Sequence, residues 1–269
     1  VLIEVDPDTF NATAGLVEKA ITDRTKAVVP VHLYGQCADM EAILEVAKKH
    51  DLFVIEDTAQ ALGADYTFSD GTTRKSGTMG HIGCTSFFPS KNLGCYGDGG
   101  ALYTNNADLA ANIRKIANHG QRVKYYHEVV GVNSRLDTIQ AAILSAKLPH
   151  LDSYAAARNH AADFYDRELK SVAWLQTPVR STRTTHVFHQ YTLKLDVNVN
   201  REDFKKYLQA HGIPSMIYYP LPLHKQEAFK SDRYRDGDFP ISEDLCRRVI
   251  SLPIHTEMTT SELSYITDT

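Results

Sequence analysis

The chain has 269 residues, 43% hydrophobic and 23% charged, with a formal net charge of -4. This is ordinary globular composition, enough for a sizeable core in one or two domains and free of the bias that marks disorder. Lys and Arg are scattered rather than clustered, so no basic field for nucleic acid is expected.

No apolar run approaches the roughly 20 residues that span a bilayer, and the first residues show no signal-peptide pattern. Cys37, Cys84, Cys95 and Cys246 are too far apart for a CxxC pair and too few for a disulfide framework, which predicts reduced thiols. The twelve histidines include no HExxH, so no zinc site is expected. The expectation is a cytoplasmic protein without a nucleic-acid, membrane or metal partner.

Val1-Leu-Ile-Glu-Val5 reads as a strand entered partway along, and the sequence is expected to be a piece of a longer chain. After a turn at Asp6-Pro-Asp-Thr9, Leu16, Ala20 and Ile21 mark one face of a short helix, and Lys26 to Leu33 reads as a buried strand. Met40, Ile43, Leu44 and Ala47 predict a helix from Met40 to His50, followed by the apolar strand Leu52-Phe-Val-Ile55. This alternation predicts a mainly parallel sheet with flanking helices. Thr67 to Ser76 reads as a hairpin or surface loop. A strand over His81 to Phe88 leads to Lys91, and Gly100 to Thr104 returns as another.

Asp108 to His119 is predicted helical. A longer helical region runs from Ser134 to Leu169, with a capping-box-like start at Ser134 and Asp137 and a break at Pro149. The pattern then changes to an alternating strand from Val187 to Leu195, a helix from Arg201 to His211, a strand from Ser215 to Tyr219 and a capped helix beginning near Thr259. This predicts a larger sheet domain over 1–148 and a smaller α+β domain over 149–269.

Three residues suggest chemistry. Lys91 lies in a polar, glycine-rich turn after an apolar run, where a partly desolvated amine could attack a carbonyl; an ordinary solvated lysine is the alternative. Asp57 stands at the carboxyl end of a buried strand, the edge of an open α/β sheet where ligands bind. A carboxylate there could hold a proton on the ring nitrogen of pyridoxal phosphate, or simply cap the segment that follows. Ser86 could donate to a phosphate or bond its own backbone. Gly97, Gly99 and Gly100 do not form a GxGxxG fingerprint, which weighs against a dinucleotide-binding fold.

Phe53-Val-Ile-Glu-Asp-Thr-Ala-Gln-Ala-Leu-Gly-Ala64, Ser86-Phe-Phe-Pro-Ser-Lys-Asn-Leu93, Gly97-Asp-Gly-Gly-Ala-Leu102 and Gly131-Val-Asn-Ser-Arg-Leu-Asp-Thr-Ile-Gln-Ala-Ala142 occur in that order. Together with Tyr218-Tyr-Pro-Leu-Pro-Leu-His224 and Leu252-Pro-Ile-His255, they resemble the DegT/StrS-type sugar aminotransferases over essentially the whole chain. The resemblance implies an aspartate-aminotransferase-like, fold-type I pyridoxal phosphate enzyme with Lys91 as Schiff-base lysine. It implies Asp57 at the pyridinium, Gln60 close to the cofactor and Ser86 at its phosphate. Asn133 would reach the cofactor phosphate of the neighbouring subunit, making the active site a property of a homodimer. Arg135 is implied as a contact to the sugar nucleotide or the amino donor. Tyr219 and His224 could line the sugar site, with strand-end packing and a surface imidazole as the alternatives, and His255 is a further candidate. In that family an upstream segment supplies a Gly-Thr pair for the phosphate and an aromatic ring near the cofactor, and neither is in this sequence.

The implied reaction moves an amino group from glutamate to a nucleotide-linked keto sugar, for amino-sugar and surface-polysaccharide synthesis. The wording around Lys91 looks most like members that aminate carbon 3 of a UDP-linked 3-keto N-acetylamino uronic acid. Three alternatives stand beside this reading. A dehydratase branch carries histidine where this chain has Lys91, a regulatory pyridoxal-binding protein would make no product, and a nucleotide-sugar dehydrogenase would need the missing glycine fingerprint.

Overall fold

The computed structural model describes residues 1–269. In chain order, Ala14–Ala20 forms α1, Ala27–Val28 β1, Met40–Lys49 α2 and Phe53–Asp57 β2. A hairpin, Asp65–Thr67 (β3) and Thr73–Lys75 (β4), precedes Ile82–Ser86 (β5) and Gly100–Tyr103 (β6). Helix α3 (Ala107–Ala117) leads to a second hairpin, Gln121–Val123 (β7) and Tyr126–His127 (β8). Helix α4 (Thr138–Lys147), a 3-10 turn over Leu148–His150 and α5 (Leu151–Leu169) follow. The last third contains β9 (Leu175–Gln176), β10 (Tyr191–Leu195), α6 (Arg201–Ala210), α7 (Pro240–Arg248), β11 (Val249–Leu252) and α8 (Thr260–Asp268).

The larger sheet has the order β1-β2-β5-β6, with β1, β2 and β5 parallel and β6 antiparallel to β5. Helix α2 makes the crossover between β1 and β2, and its Met40, Ile43 and Ala47 are buried at helical spacing. Leu52, Val54, Tyr66 and Val187 join Met40 and Ala47 in one cluster. A second small cluster gathers Phe87, Leu93, Cys95, Leu144 and Leu151 around the loop that carries Lys91. The largest cluster packs α5, α6 and α8 on the antiparallel sheet β11-β10-β9, with Tyr165, Phe188, Tyr191 and Leu193 at its centre. Each such side chain contributes about 1.5–3 kcal/mol on burial.

Helix α5 belongs to more than one of these clusters. Leu151, in its first turn, packs with Phe87 and Leu93, and Ala155 lies against the cluster of Met40 and Val54. Ala161, Ala162, Tyr165 and Leu169 belong to the cluster on β10.

Several sequence expectations are corrected. Val1 to Val5 is irregular rather than a strand, since no strand pairs with it. Glu4 instead accepts from the backbone N–H groups of Ile241 (2.8 Å) and Ser242 (2.9 Å) in the first turn of α7. The strand expected over Lys26 to Leu33 shrinks to two residues before Pro30, with a lone bridge from Val31 to Asp57.

Ser134 to Asp137 is not helical and makes no capping box. Helix α4 starts at Thr138, and Pro149 sits in the 3-10 turn that separates it from α5. Only Tyr191–Leu195 of the strand expected from Val187 is regular, because Phe188 adopts a positive φ of 43°. Ser215 to Tyr219 forms a single bridge, Met216 to Ser251, and no strand. The segment over Thr67 to Ser76 is a hairpin as expected, and Thr259 caps α8 in a full capping box with Glu262. No helix is long and apolar enough to cross a membrane.

Candidate active site

Asp57 ends β2 and Ser86 ends β5, the parallel strand beside it; Asp57 is in register with Cys84, two residues before Ser86. Both side chains therefore stand at the carboxyl edge of the sheet. Beyond Ser86 the chain closes into a loop. Phe87 N donates to Gly99 O (2.8 Å), Lys91 N to Phe88 O (2.9 Å) and Cys95 N to Phe87 O (2.8 Å). The loop is tight enough at Gly94 that a Cβ there would lie 2.3 Å from Pro89 O.

Lys91 is carried on this loop, half-buried. Burial pushes its pKa below the ordinary lysine value, and the nearby Asp57 carboxylate acts in the opposite sense. Amine and carboxylate thus share one site, and part-time neutrality is what addition to a carbonyl requires.

Asp57 Oδ1 accepts from Ala59 N at 3.0 Å, the local bond of a capping aspartate, and its second oxygen has no protein hydrogen bond. Ser86 Oγ accepts from Phe88 N at 3.2 Å, so its own proton is free to donate. Pyridoxal phosphate asks for an amine, an anion at the ring nitrogen and donors at the phosphate. Lys91, the open oxygen of Asp57 and the Ser86 hydroxyl fit those demands.

Gln60 is buried and engaged at both ends, accepting from Tyr34 N (2.7 Å) and donating to the Tyr219 hydroxyl (3.1 Å). It therefore ties the segment after β2 to the Tyr218-Tyr219 segment. Asn133 and Arg135 lie together on the exposed stretch before α4, where Arg135 Nε donates to Asn133 Oδ1 at 3.1 Å. No hydrogen bond or ion pair joins them to Asp57, Gln60, Ser86 or Lys91 within the protomer.

His224 is a candidate for the sugar site. It is buried, its Nε2 lies 3.1 Å from Glu243 Oε1, and its ring packs on Phe239. His255 Nδ1 accepts from Glu257 N (3.1 Å) in the turn before α8.

Sequence reasoning missed the layer beneath these residues. Glu56 and His32 are fully buried, with His32 Nε2 at 3.1 Å from Glu56 Oε2. His32 Nδ1 accepts from Ala38 N (3.1 Å), so Nε2 carries the proton and donates to Glu56. Glu56 also accepts from the N–H groups of Gly77 (2.8 Å), Met79 (2.6 Å) and Gly80. Burial alone would raise its pKa, but the His32 bond and the backbone donors outweigh that and hold it below the ordinary carboxylate value. This fixes the strand one residue before Asp57. Tyr34, in the left-handed region (φ 58°), is a further residue that sequence reasoning missed. Tyr34-Gly35, a bulky residue before a glycine after a strand, was the available sign.

Residues 1–269 match the DegT/DnrJ/EryC1/StrS aminotransferase family throughout. The chain is 46% identical over 270 residues to a pleiotropic regulatory protein of Geobacillus stearothermophilus, covering 100% of this chain and 70% of that one. It is 45% identical over 266 residues to the UDP-2-acetamido-2-deoxy-3-oxo-D-glucuronate aminotransferase of Pseudomonas aeruginosa, covering 99% and 71%. The crystal structure of S. venezuelae DesV shares the fold with a TM-score of 0.93 at 40% identity, over 100% of this chain and 70% of that one. A mixed sheet with strand-end aspartate and loop lysine, and family similarity from first residue to last, lead to one conclusion: the chain belongs to the DegT/DnrJ/EryC1/StrS family of fold-type I, pyridoxal phosphate-dependent aminotransferases.

Proposed function

We propose that the protein transfers the amino group of glutamate to a nucleotide-linked keto sugar, with a UDP-linked 3-keto N-acetylamino uronic acid as the favoured acceptor. The reading is carried by one observation: half-buried Lys91 sits on the loop that leaves β5, beside the strand whose carboxyl end carries Asp57. The acceptor class is supported by the 45% identity to the Pseudomonas aeruginosa aminotransferase and by the similarity to that subgroup around Lys91.

When bound, pyridoxal phosphate supplies an electron sink for the pair left behind as a proton departs from the donor's α-carbon. Asp57 would hold a proton on the ring nitrogen through its open oxygen, and Ser86 would donate to a phosphate oxygen. Lys91 would hold the cofactor and, when free of it, would serve as the base that takes a proton from the donor and the acid that returns it. One residue serves as leaving group, base and acid. Gln60 holds the Tyr219 hydroxyl at the acceptor side.

Asn133 and Arg135, exposed in the protomer, are assigned to the neighbouring site of a homodimer, at the cofactor phosphate and at a substrate carboxylate or phosphate. The same reading places the cofactor body in 1–148 and the smaller body in 149–269, and the reaction in the cytoplasm during surface-polysaccharide synthesis.

The test is spectroscopic. Purified protein supplied with pyridoxal phosphate should show visible absorbance that borohydride bleaches, with the label on Lys91. Lys91→Ala should lack it, and retention would refute the assignment. The similarity to the pleiotropic regulatory protein of Geobacillus stearothermophilus favours a second reading, a regulatory binder. Glutamate converting the cofactor to its amino form, followed by reoxidation with the keto sugar, excludes it.

A further inference from the structure

The loop that carries Lys91 is closed by its own return limb and then fastened to α4. Cys95 Sγ lies 2.9 Å from Phe87 O and 3.0 Å from Gly97 O, which draws the limb back across the foot of the loop. From α4, Gln140 Oε1 accepts from Tyr96 N at 2.8 Å, and Lys147 Nζ donates to Gly94 O at 2.5 Å. The approach is close: a Cβ on Gly97 would lie 3.0 Å from Gln140 Nε2, and one on Gly99 would lie 2.9 Å from Leu136 Cδ1. Leu144, one turn beyond Gln140, is buried with Phe87, Leu93 and Cys95. Gln140, Leu144 and Lys147 follow the i, i+4, i+7 spacing of one helix face, and that face meets the loop.

The same helix begins where an exposed arm ends. Residues 131–137 lead into α4, and the start of this arm is pinned to the end of α3 by backbone bonds. Val132 N donates to Ile116 O (2.8 Å), His119 N to Val132 O (2.9 Å) and Ser134 N to Ala117 O (2.9 Å). Asn133 and Arg135 are exposed on the arm, and their side chains have no hydrogen-bond partner in the protomer other than each other. The far end is fixed by Leu136 against Gly99 and by Asp137 O, which accepts from Ala141 N (2.9 Å) as α4 starts. Exposed side chains on such a segment keep one direction only when both of its ends are held, and the second hold is the contact between α4 and the Lys91 loop.

We propose that Gln140 is a positioning residue for two active sites at once. In its own protomer it holds the return limb of the loop that carries Lys91; through α4 it fixes the arm that presents Asn133 and Arg135 to the neighbouring site. It acts through the backbone at Tyr96 and through the helix to which it belongs, with no proton or electron passing through it. The inference rests on the reading of Asn133 and Arg135 as residues of the neighbouring site in a homodimer.

The test uses mixed dimers of two differently tagged chains, one carrying Lys91→Ala, so that a single site keeps its lysine. Gln140→Ala is placed either on the chain that keeps Lys91 or on the Lys91→Ala chain. Borohydride fixing of the cofactor to Lys91, followed against pyridoxal phosphate concentration, reads cofactor affinity at the intact site, and the half-reaction with glutamate reads its rate. On the lysine-bearing chain the variant should slow the half-reaction about tenfold, the scale of a small misplacement of a reacting group. On the other chain it should raise the half-saturating cofactor concentration about fivefold, the equivalent of one hydrogen bond. Gln140→Glu keeps an oxygen facing Tyr96 N and should restore both. A merely structural residue would lower the melting temperature with both readings unchanged, or act only from the chain that holds Lys91; either result overturns the proposal, as does failure of Gln140→Glu to restore them. Asn133→Ala on the Lys91→Ala chain tests the underlying reading separately: if it leaves cofactor affinity at the intact site unchanged, or if the two tags never co-purify, the homodimer assignment itself is overturned.

Discussion

Glu56→Gln probes the buried layer that sets the position of Asp57. The carboxylate is fully buried and divides its four donors evenly: Oε1 accepts from Met79 N and Gly80 N, and Oε2 from Gly77 N and the His32 Nε2–H. A glutamine retains one acceptor oxygen and turns an NH2 group toward the other two donors. His32 cannot adapt by exchanging its proton, because its Nδ1 is already occupied by Ala38 N–H. Two charge-assisted bonds are lost at about 1.5–3 kcal/mol each, consistent with the 3–5 kcal/mol typical for breaking a buried pair. At about 2–4 °C per kcal/mol in a chain of this order of size, melting should fall by roughly 10 °C.

The effect depends on pH in a defined direction. The folded-state pKa of Glu56 lies below the ordinary 4.5, so its contribution is complete above that value and is lost as pH falls through the folded pKa. Calorimetry of parent and variant between neutral and acid pH should show a gap in melting temperature that is widest near neutrality and narrows in acid. A variant melting within about 2 °C of the parent at neutral pH would refute the reasoning; so would a gap that widens on acidification.

Gln60→Leu removes the bonds to Tyr34 N and the Tyr219 hydroxyl. It should cost about 1–3 kcal/mol of stability and raise KM for the keto sugar more than for glutamate, as steady-state kinetics with each substrate varied would show. Gly35→Ala places a Cβ against Phe188 N at a φ of +117°. A positive φ at about 1–2 kcal/mol and overpacking at about 1–3 kcal/mol predict a loss of about 2–5 kcal/mol in denaturant unfolding. Thr259→Ala removes the α8 cap and should cost about 1 kcal/mol with activity unchanged.

Much of the sheet was readable because its signals are local. Phe53 to Asp57 is a short apolar run ending in a carboxylate, and Met40 to Lys49 shows helical spacing, so both elements and the parallel arrangement followed directly. The strands at Val1 to Val5, Val187 to Gln190 and Ser215 to Tyr219 were misread for a shared reason. An alternating pattern gives strand tendency, but a strand also needs a neighbour in register, and those segments are held by side-chain caps, clamps and single bridges.

For the site, Lys91, Asp57 and Ser86 stood out because family motifs surround them. Glu56 and His32 did not. Their roles depend on burial and on partners 24 residues away or more, as in the pairing of His32 with Glu56, and no spacing rule registers such contacts.

Helix α5 has an architectural consequence. Its 19 residues form a rod of about 28 Å, whose first turns are embedded beside the Lys91 loop while its later turns support β10. The 3-10 turn at Leu148–His150 is therefore a poor hinge, since the helix just beyond it is anchored on both sides. A fragment starting at residue 149 would expose Leu151 and Ala155 to water, and a cut after α5 would expose Ala161, Ala162, Tyr165 and Leu169, so the helix binds the two parts of the chain into one folding unit.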